Sequence, residues 1–196
     1  MEPLFIGSHP AIDFLNTALT PNGEQIELIG DGRSYLAWLV AAKLLDDEQA
    51  AKLLRRMGVK GADAAAAQAR ALREWARSWL ARWRAAPRRD YSDEIERLNE
   101  YLAGEITRRE VVRGDDGLEL ITRAQVESAD ALLALLANEI ADLITQEDGS
   151  LLKSCSGAGC TLWFLDRTKA HRRVFCSTAT CGNRAKVAAF RNRQRE

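Results

Sequence analysis

Apolar positions recur at helical spacing over most of the first 150 residues. Leu72, Trp75, Trp79, Leu80 and Trp83 form one stripe, in a segment predicted to run from about Ala62 to just before Pro87. Tyr91, Ile95, Leu98 and Leu102 form a second, with Ser92 as its predicted cap and Asp93 and Glu94 in the first turn. A third stripe comprises Leu132, Leu133, Leu136, Ile140, Leu143 and Ile144. Asp46-Asp47-Glu48-Gln49 reads as a capping box opening a helix through Leu53, Leu54 and Met57, which Gly58 is expected to end. Two further helices are predicted over Ala11–Leu19 and Ser34–Leu44. Alternation marks strands at Ile106–Arg113 and Leu118–Arg123, joined by the turn Gly114-Asp115-Asp116-Gly117, and more weakly at Glu24–Ile29. The tryptophans at 75, 79 and 83 are read as core packing between helices rather than as a ligand box.

The pattern changes near residue 150. The 196-residue chain has zero formal net charge, but residues 1–150 hold 18 Lys and Arg against 26 Asp and Glu. Residues 151–196 hold 10 basic side chains against Asp166 and Glu196, a balance of +8. The same tail carries all four cysteines. A boundary is therefore expected between a body, residues 1–149, and a small module, residues 150–196. No stretch matches the roughly 18–20 uninterrupted apolar residues of a membrane span; the best candidate, Ala129–Ile144, is broken by Asp130, Asn138, Glu139 and Asp142. The opening residues show no basic segment followed by an apolar run, so no secretory signal is expected and a cytoplasmic location is.

The cysteines are spaced Cys155-x4-Cys160-x15-Cys176-x4-Cys181. Two loop-borne pairs can supply four sulfur donors to a tetrahedral ion without a large closure cost. Two strand-like runs, Thr161–Leu165 and Val174–Phe175, fill the interval, and Gly182–Arg195 reads as a helix. Pair, hairpin, and pair at a helix start is a treble-clef-like layout, expected to hold one structural zinc on Cys155, Cys160, Cys176 and Cys181. Two disulfides, buried free thiols or an iron–sulfur site are the alternatives, disfavoured by a reducing compartment, by the clustering and by the spacing respectively. His171 falls mid-turn, outside the paired pattern. Overall the fold class is mostly α (α+β): a helical body with a small β-hairpin, then the zinc module with its C-terminal helix.

The expected scaffold is basic. Arg184, Arg191 and Arg195 share a stripe of the last helix, with Val187 and Phe190 expected to dock it onto the finger. Arg167, Lys169, Arg172 and Arg173 crowd the preceding turn, and Asn183, Lys186 and Arg193 complete the candidate nucleic-acid contacts. Arginine engages phosphates and guanine edges bidentately, so DNA is the expected partner, ahead of RNA because no base-stacking aromatic pattern is evident. An adaptor binding protein or RNA is the alternative. A homodimer is also expected, since one finger is a small DNA reader. G-x-S-x-G, Walker and G-x-G-x-x-G motifs are all missing, and the chain is not expected to be an enzyme.

The stretch CSTATCGNRAKV, preceded by CTLWFLDRTKAHRRVFC, resembles the CGNR zinc-finger family over Leu151 to about Arg193, with Cys181-Gly182-Asn183-Arg184 as the defining run. Gly7–Leu45, with Ala11-Ile12-Asp13-Phe14-Leu15-Asn16-Thr17, resembles the opening of the ABATE domain that precedes this finger in the same family. The resemblance implies a stress-induced bacterial transcription regulator with the finger as its DNA-binding part. The four cysteines match the family's metal positions. Phe175 stands where Trp is usual, Thr178 where Met is usual, and Ala170-His171 where an Asn is often seen. Asp13, Asn16 and Thr17 match the amino-terminal motif. With Arg70 or Arg73 they are candidates either for a pocket holding a small anionic or polar effector, or for a purely structural lock in which Asp13 caps or pairs with an arginine.

Overall fold

The computed structural model describes all residues except 1, 2, 4, 21–23, 105, 106, 116, 195 and 196. Six helices and three two-stranded antiparallel sheets follow one another in the described chain. Helix α1 (Pro10–Leu15) is the innermost element: Ala11, Ile12, Phe14 and Leu15 have no exposed surface. It stops four residues before the predicted end at Leu19. Thr17 turns its hydroxyl back to donate to the Phe14 carbonyl at 2.7 Å, while the Asn16 side chain is drawn away to Trp163. Strands β1 (Ala18–Leu19) and β2 (Ile26–Glu27) pair next, trimming the expected strand at 24–29 to two residues.

Helix α2 (Gly32–Ala41) opens on a capping box in which Asp31 accepts from the Ser34 N–H. It ends short of the expected Leu44, because the chain reverses through Lys43 at φ +60°. A Cβ on Gly32 would lie 2.3 Å from the carbonyl carbon of Ala62, so only glycine permits this approach of α2 to α3 (Asp47–Ala85). The Asp46–Gln49 capping box that opens α3 is as predicted, and the helix breaks at Gly58, whose φ of +67° suits glycine. In α4 (Ser92–Leu102) the cap differs from expectation. Asp90, not Ser92, supplies the oxygen, accepting from the Ser92 N–H at 3.0 Å and from its hydroxyl.

Strands β3 (Thr107–Gly114) and β4 (Gly117–Ala124) form the predicted hairpin, closing with Gly114 opposite Gly117. One face of this arm leaves Val111, Leu118 and Leu120 exposed. Helix α5 (Ala129–Gln146), capped by Ser128, completes the core with α1, α3 and α4. Trp79 and Trp83 are buried in that core and Trp75 is partly buried against Trp79 and Tyr101, as the core reading required.

A 3-10 turn (Gly149–Leu151) leads into β5 (Leu152–Ser154), which pairs with β6 (Trp163–Leu165). The finger hairpin therefore flanks the first cysteine pair. The run Val174–Phe175 is not a strand; the Val174 carbonyl accepts from the Ser156 N–H, but no ladder follows among the described residues. A π-helical turn (Thr178–Gly182) starts α6 (Asn183–Arg193). Contrary to the expected docking, Val187 and Phe190 are 48% and 54% exposed, and no residue of α6 is buried. Only two large apolar side chains, beside three alanines and four cations, give this helix little to bury.

The core runs through the residue-150 boundary. Trp163, Leu165 and Leu152 join the main hydrophobic cluster, while Leu19, Ile6 and Ile26 join the cysteines, Leu162 and Phe164 in a second. No helix among the described residues is long and apolar enough to cross a membrane.

Candidate metal centre and its basic surround

The first cysteine pair sits on a knuckle. The Cys155 N–H bonds to the Leu162 carbonyl, and the Cys160 N–H to the Gly157 carbonyl at 3.0 Å. A Cβ on Gly157 would come within 2.9 Å of the Cys181 sulfur, so glycine is what lets the second pair close over the first. Cys176 follows the basic turn and Cys181 lies in the π-helical turn at the foot of α6.

All four Sγ atoms lie within 4.8 Å of one another, with Cys160–Cys176 at 3.9 Å and Cys176–Cys181 at 3.6 Å. Bonds of about 2.3 Å to a tetrahedral zinc place sulfurs about 3.8 Å apart. A disulfide needs about 2.05 Å, and the four thiols are unlinked. Backbone N–H groups of Cys176 and Gly157 point at the Cys155 sulfur, at 3.2 and 3.4 Å, and Arg184 Nη2 donates to the Cys181 sulfur at 2.9 Å. Such donors disperse thiolate charge and orient the ligands. Burial pushes the Cys160 thiol up to about 11 and raises Cys176 as well. Burial also raises Cys181, but the Arg184 guanidinium together with hydrogen bonds from Cys176, Cys155 and Cys160 outweighs this, and the thiol falls below its usual range.

The basic turn is organised from within by Asp166, which has no exposed surface. Its carboxylate accepts from Lys153 Nζ at 2.7 Å, from the Thr168 N–H and hydroxyl, and from the Arg173 N–H at 2.8 Å. Burial raises its pKa, but these partners together hold it well below the ordinary carboxylate range. Sequence reasoning counted Asp166 only as charge; the signal it carried was its solitude among cations. The His171 ring nitrogen contacts the Asp166 carbonyl rather than the thiols.

The ten candidate nucleic-acid residues separate into groups. Arg173 stacks over Phe164, 4.1 Å from the ring centre, and donates to the Phe175 and Cys176 carbonyls. Arg167 pairs with Glu147, the residue that follows α5. Arg184 reaches the Cys181 sulfur, and Asn183 is exposed with its amide on the Ala179 carbonyl. Lys169, Arg172, Lys186, Arg191 and Arg193 project into solvent, and Arg195 lies outside the described residues.

The candidate effector residues of the body spend their polar atoms on the fold. Asp13 accepts from the Gly7 N–H at 2.8 Å rather than pairing with an arginine. Asn16 is matched to the Trp163 backbone at both ends, and Thr17 accepts from Arg73 at 2.9 Å. Arg73 is bidentate to Glu27 and also pairs with Glu74. Arg70 donates to the Ile29 and Gly30 carbonyls, both at 2.8 Å. Arg77, which sequence reasoning missed, donates to the Leu15 and Thr161 carbonyls and stacks on Trp163 from 5.3 Å, joining body and finger.

Burial raises the Asp13 carboxyl to about 6, the Gly7 and Ile6 backbone amides pulling partly back. Between the unfolded value near 4 and the folded value, the native chain holds a proton that the unfolded chain has lost. Stability from this group is thus greatest below about pH 4 and is lost as pH rises through 6, by about 3 kcal/mol at most. Asp13→Asn keeps the acceptor for Gly7 and removes the charge. Urea denaturation at pH 4.5 and 7.5 is expected to show the variant gaining on the parent at the higher pH. An equal difference at both pH values would contradict the assignment.

Residues 8–147 match the ABATE family model, described as "putative stress-induced transcription regulator", and residues 152–194 match the CGNR zinc finger. None of the curated proteins matches the chain. Four cysteine sulfurs at tetrahedral spacing, within a stretch matched as a CGNR finger, hold one structural zinc.

Proposed function

The chain belongs to the ABATE family and carries a CGNR zinc finger behind that domain, and from this premise we propose that it is a regulator whose zinc-stiffened tail binds DNA. Zinc contributes no reaction here; with all four positions taken by thiolates it serves to fold and fix the finger. The observation that carries the reading is the exposed set Lys169, Arg172, Lys186, Arg191 and Arg193, none of which pairs with a described carboxylate. Cations left free on a rigid frame are available to phosphates, whereas Arg167 and Arg173 are already committed to the fold.

Fluorescence anisotropy on a random-sequence DNA duplex tests this. Each neutralised phosphate contributes about −0.9 to the slope of log affinity against log salt, so five cations predict a slope of up to about −4.5. Lys186→Glu with Arg193→Glu is expected to lower affinity at least tenfold and flatten that slope by about 2. Zinc content is expected to stay at one per chain, because neither side chain touches a cysteine. Affinity indifferent to salt, or unchanged in the double variant, would overturn the reading. The exposed Val111, Leu118 and Leu120 face of the β3–β4 arm favours a second role in protein contact.

A further inference from the structure

A groove of about 660 Å³ separates α6 from the finger. Its lining joins the apolar Ile6, Leu162, Val187 and Ala188 to Cys160, Cys176 and Cys181 of the metal centre. Arg184, Val187, Ala188 and Arg191 follow one another at helical spacings of three, one and three, so one face of α6 presents two aliphatic groups between two guanidiniums. The volume falls in the range of sites that enclose small organic ligands, and an apolar lining with few polar groups is typical of them. Among the described residues no Asp or Glu lines the groove, and α6 contains none. Arg191 makes no hydrogen bond or ion pair with another described residue.

We infer that this groove binds a small amphipathic carboxylate, its alkyl chain along Ile6, Leu162 and Val187 and its head group on Arg191. The chemistry is complementary at both ends: aliphatic wall to aliphatic chain, unpaired guanidinium to carboxylate. A second copy of α6 is a poor occupant, since Arg184, Lys186, Arg191 and Arg193 would face their own equivalents. The inference goes beyond the nucleic-acid reading and does not depend on it. It assigns an effector to the finger, where an occupant would tie the cationic helix to Ile6 of the amino-terminal segment.

The test uses the zinc-loaded full chain without nucleic acid. Decanoate, decyltrimethylammonium and acetate are titrated separately, with calorimetry for affinity and backbone amide shifts for location. Decanoate is expected to saturate at sub-millimolar concentration and to shift amides of Ile6, Leu162 and residues 179–191. The cationic amphiphile is expected to bind at least tenfold more weakly and acetate not measurably. Arg191→Glu and Val187→Asp each alter an exposed side chain and are each expected to weaken decanoate at least tenfold. The Lys186→Glu, Arg193→Glu double variant, designed against DNA, is expected to keep decanoate affinity within twofold, so the two readings can fail separately. Equal binding of the two amphiphiles, shifts confined to other regions, or an unaffected Arg191→Glu variant would overturn the inference.

Discussion

Replacing Cys176 with serine is expected to reduce zinc from one per chain to none and to unfold residues 152–193. Cys176 is buried, and its sulfur is within 3.9 Å of Cys160 and 3.6 Å of Cys181, so no neighbour can take its place. Structural zinc contributes about 10–16 kcal/mol of apparent binding free energy in finger peptides at neutral pH. A typical domain has only about 5–15 kcal/mol of total stability. The finger has little else to fall back on: its strands are three residues long, α6 buries nothing, and its second hydrophobic cluster is built around the cysteines themselves. Elemental analysis gives the metal count, and near-ultraviolet dichroism follows Trp163, which is packed between finger and body. Chelation of the parent is expected to reproduce the change, and added zinc to reverse it. A metal-free variant with the parent's dichroism and melting temperature would contradict a zinc-dependent finger.

The parts that sequence exposed are those whose cause is local. A capping box is four consecutive residues, so Asp46–Gln49 could be read directly. The Gly114–Gly117 turn and the two cysteine pairs are equally short-range. The docked helix expected from Val187 and Phe190 failed because periodicity identifies a face without saying whether anything lies beneath it. Composition likewise treated ten cations as equivalent. It could not see that Arg173 is fixed by carbonyls and the Phe164 ring, or that Arg184 leans on a ligand sulfur. The seam between body and finger was invisible for a related reason. Its bonds join residues about 150 positions apart: Gly7 with Leu165, Asn16 with Trp163. The apparent boundary near residue 150 marks a change in charge and chemistry, but the packing continues across it.

That seam yields the second large effect: Asn16→Ala is expected to cost about 2–5 kcal/mol and to loosen the finger from the body. Asn16 is 2% exposed and caps α1. Its Nδ2 donates to the Trp163 carbonyl at 2.9 Å, and its Oδ1 accepts from the Trp163 N–H at 2.9 Å. An amide side chain is suited to this because it carries a donor and an acceptor side by side, as a peptide group does. Alanine would leave both Trp163 backbone groups buried without partners, at about 1–3 kcal/mol each. Asn16→Asp retains the acceptor but turns an anion toward the Trp163 carbonyl, and it is expected to be at least as damaging above pH 5. Asn16→Gln, which preserves the chemistry but lengthens the arm, separates hydrogen bonding from packing. Zinc affinity is expected to change little in all three, since no atom of Asn16 approaches a cysteine. Amide exchange is the appropriate readout: protection should fall at Trp163 and Leu165 and persist at Cys155. Unchanged protection at Trp163 in the alanine variant would show that the seam is held by packing alone.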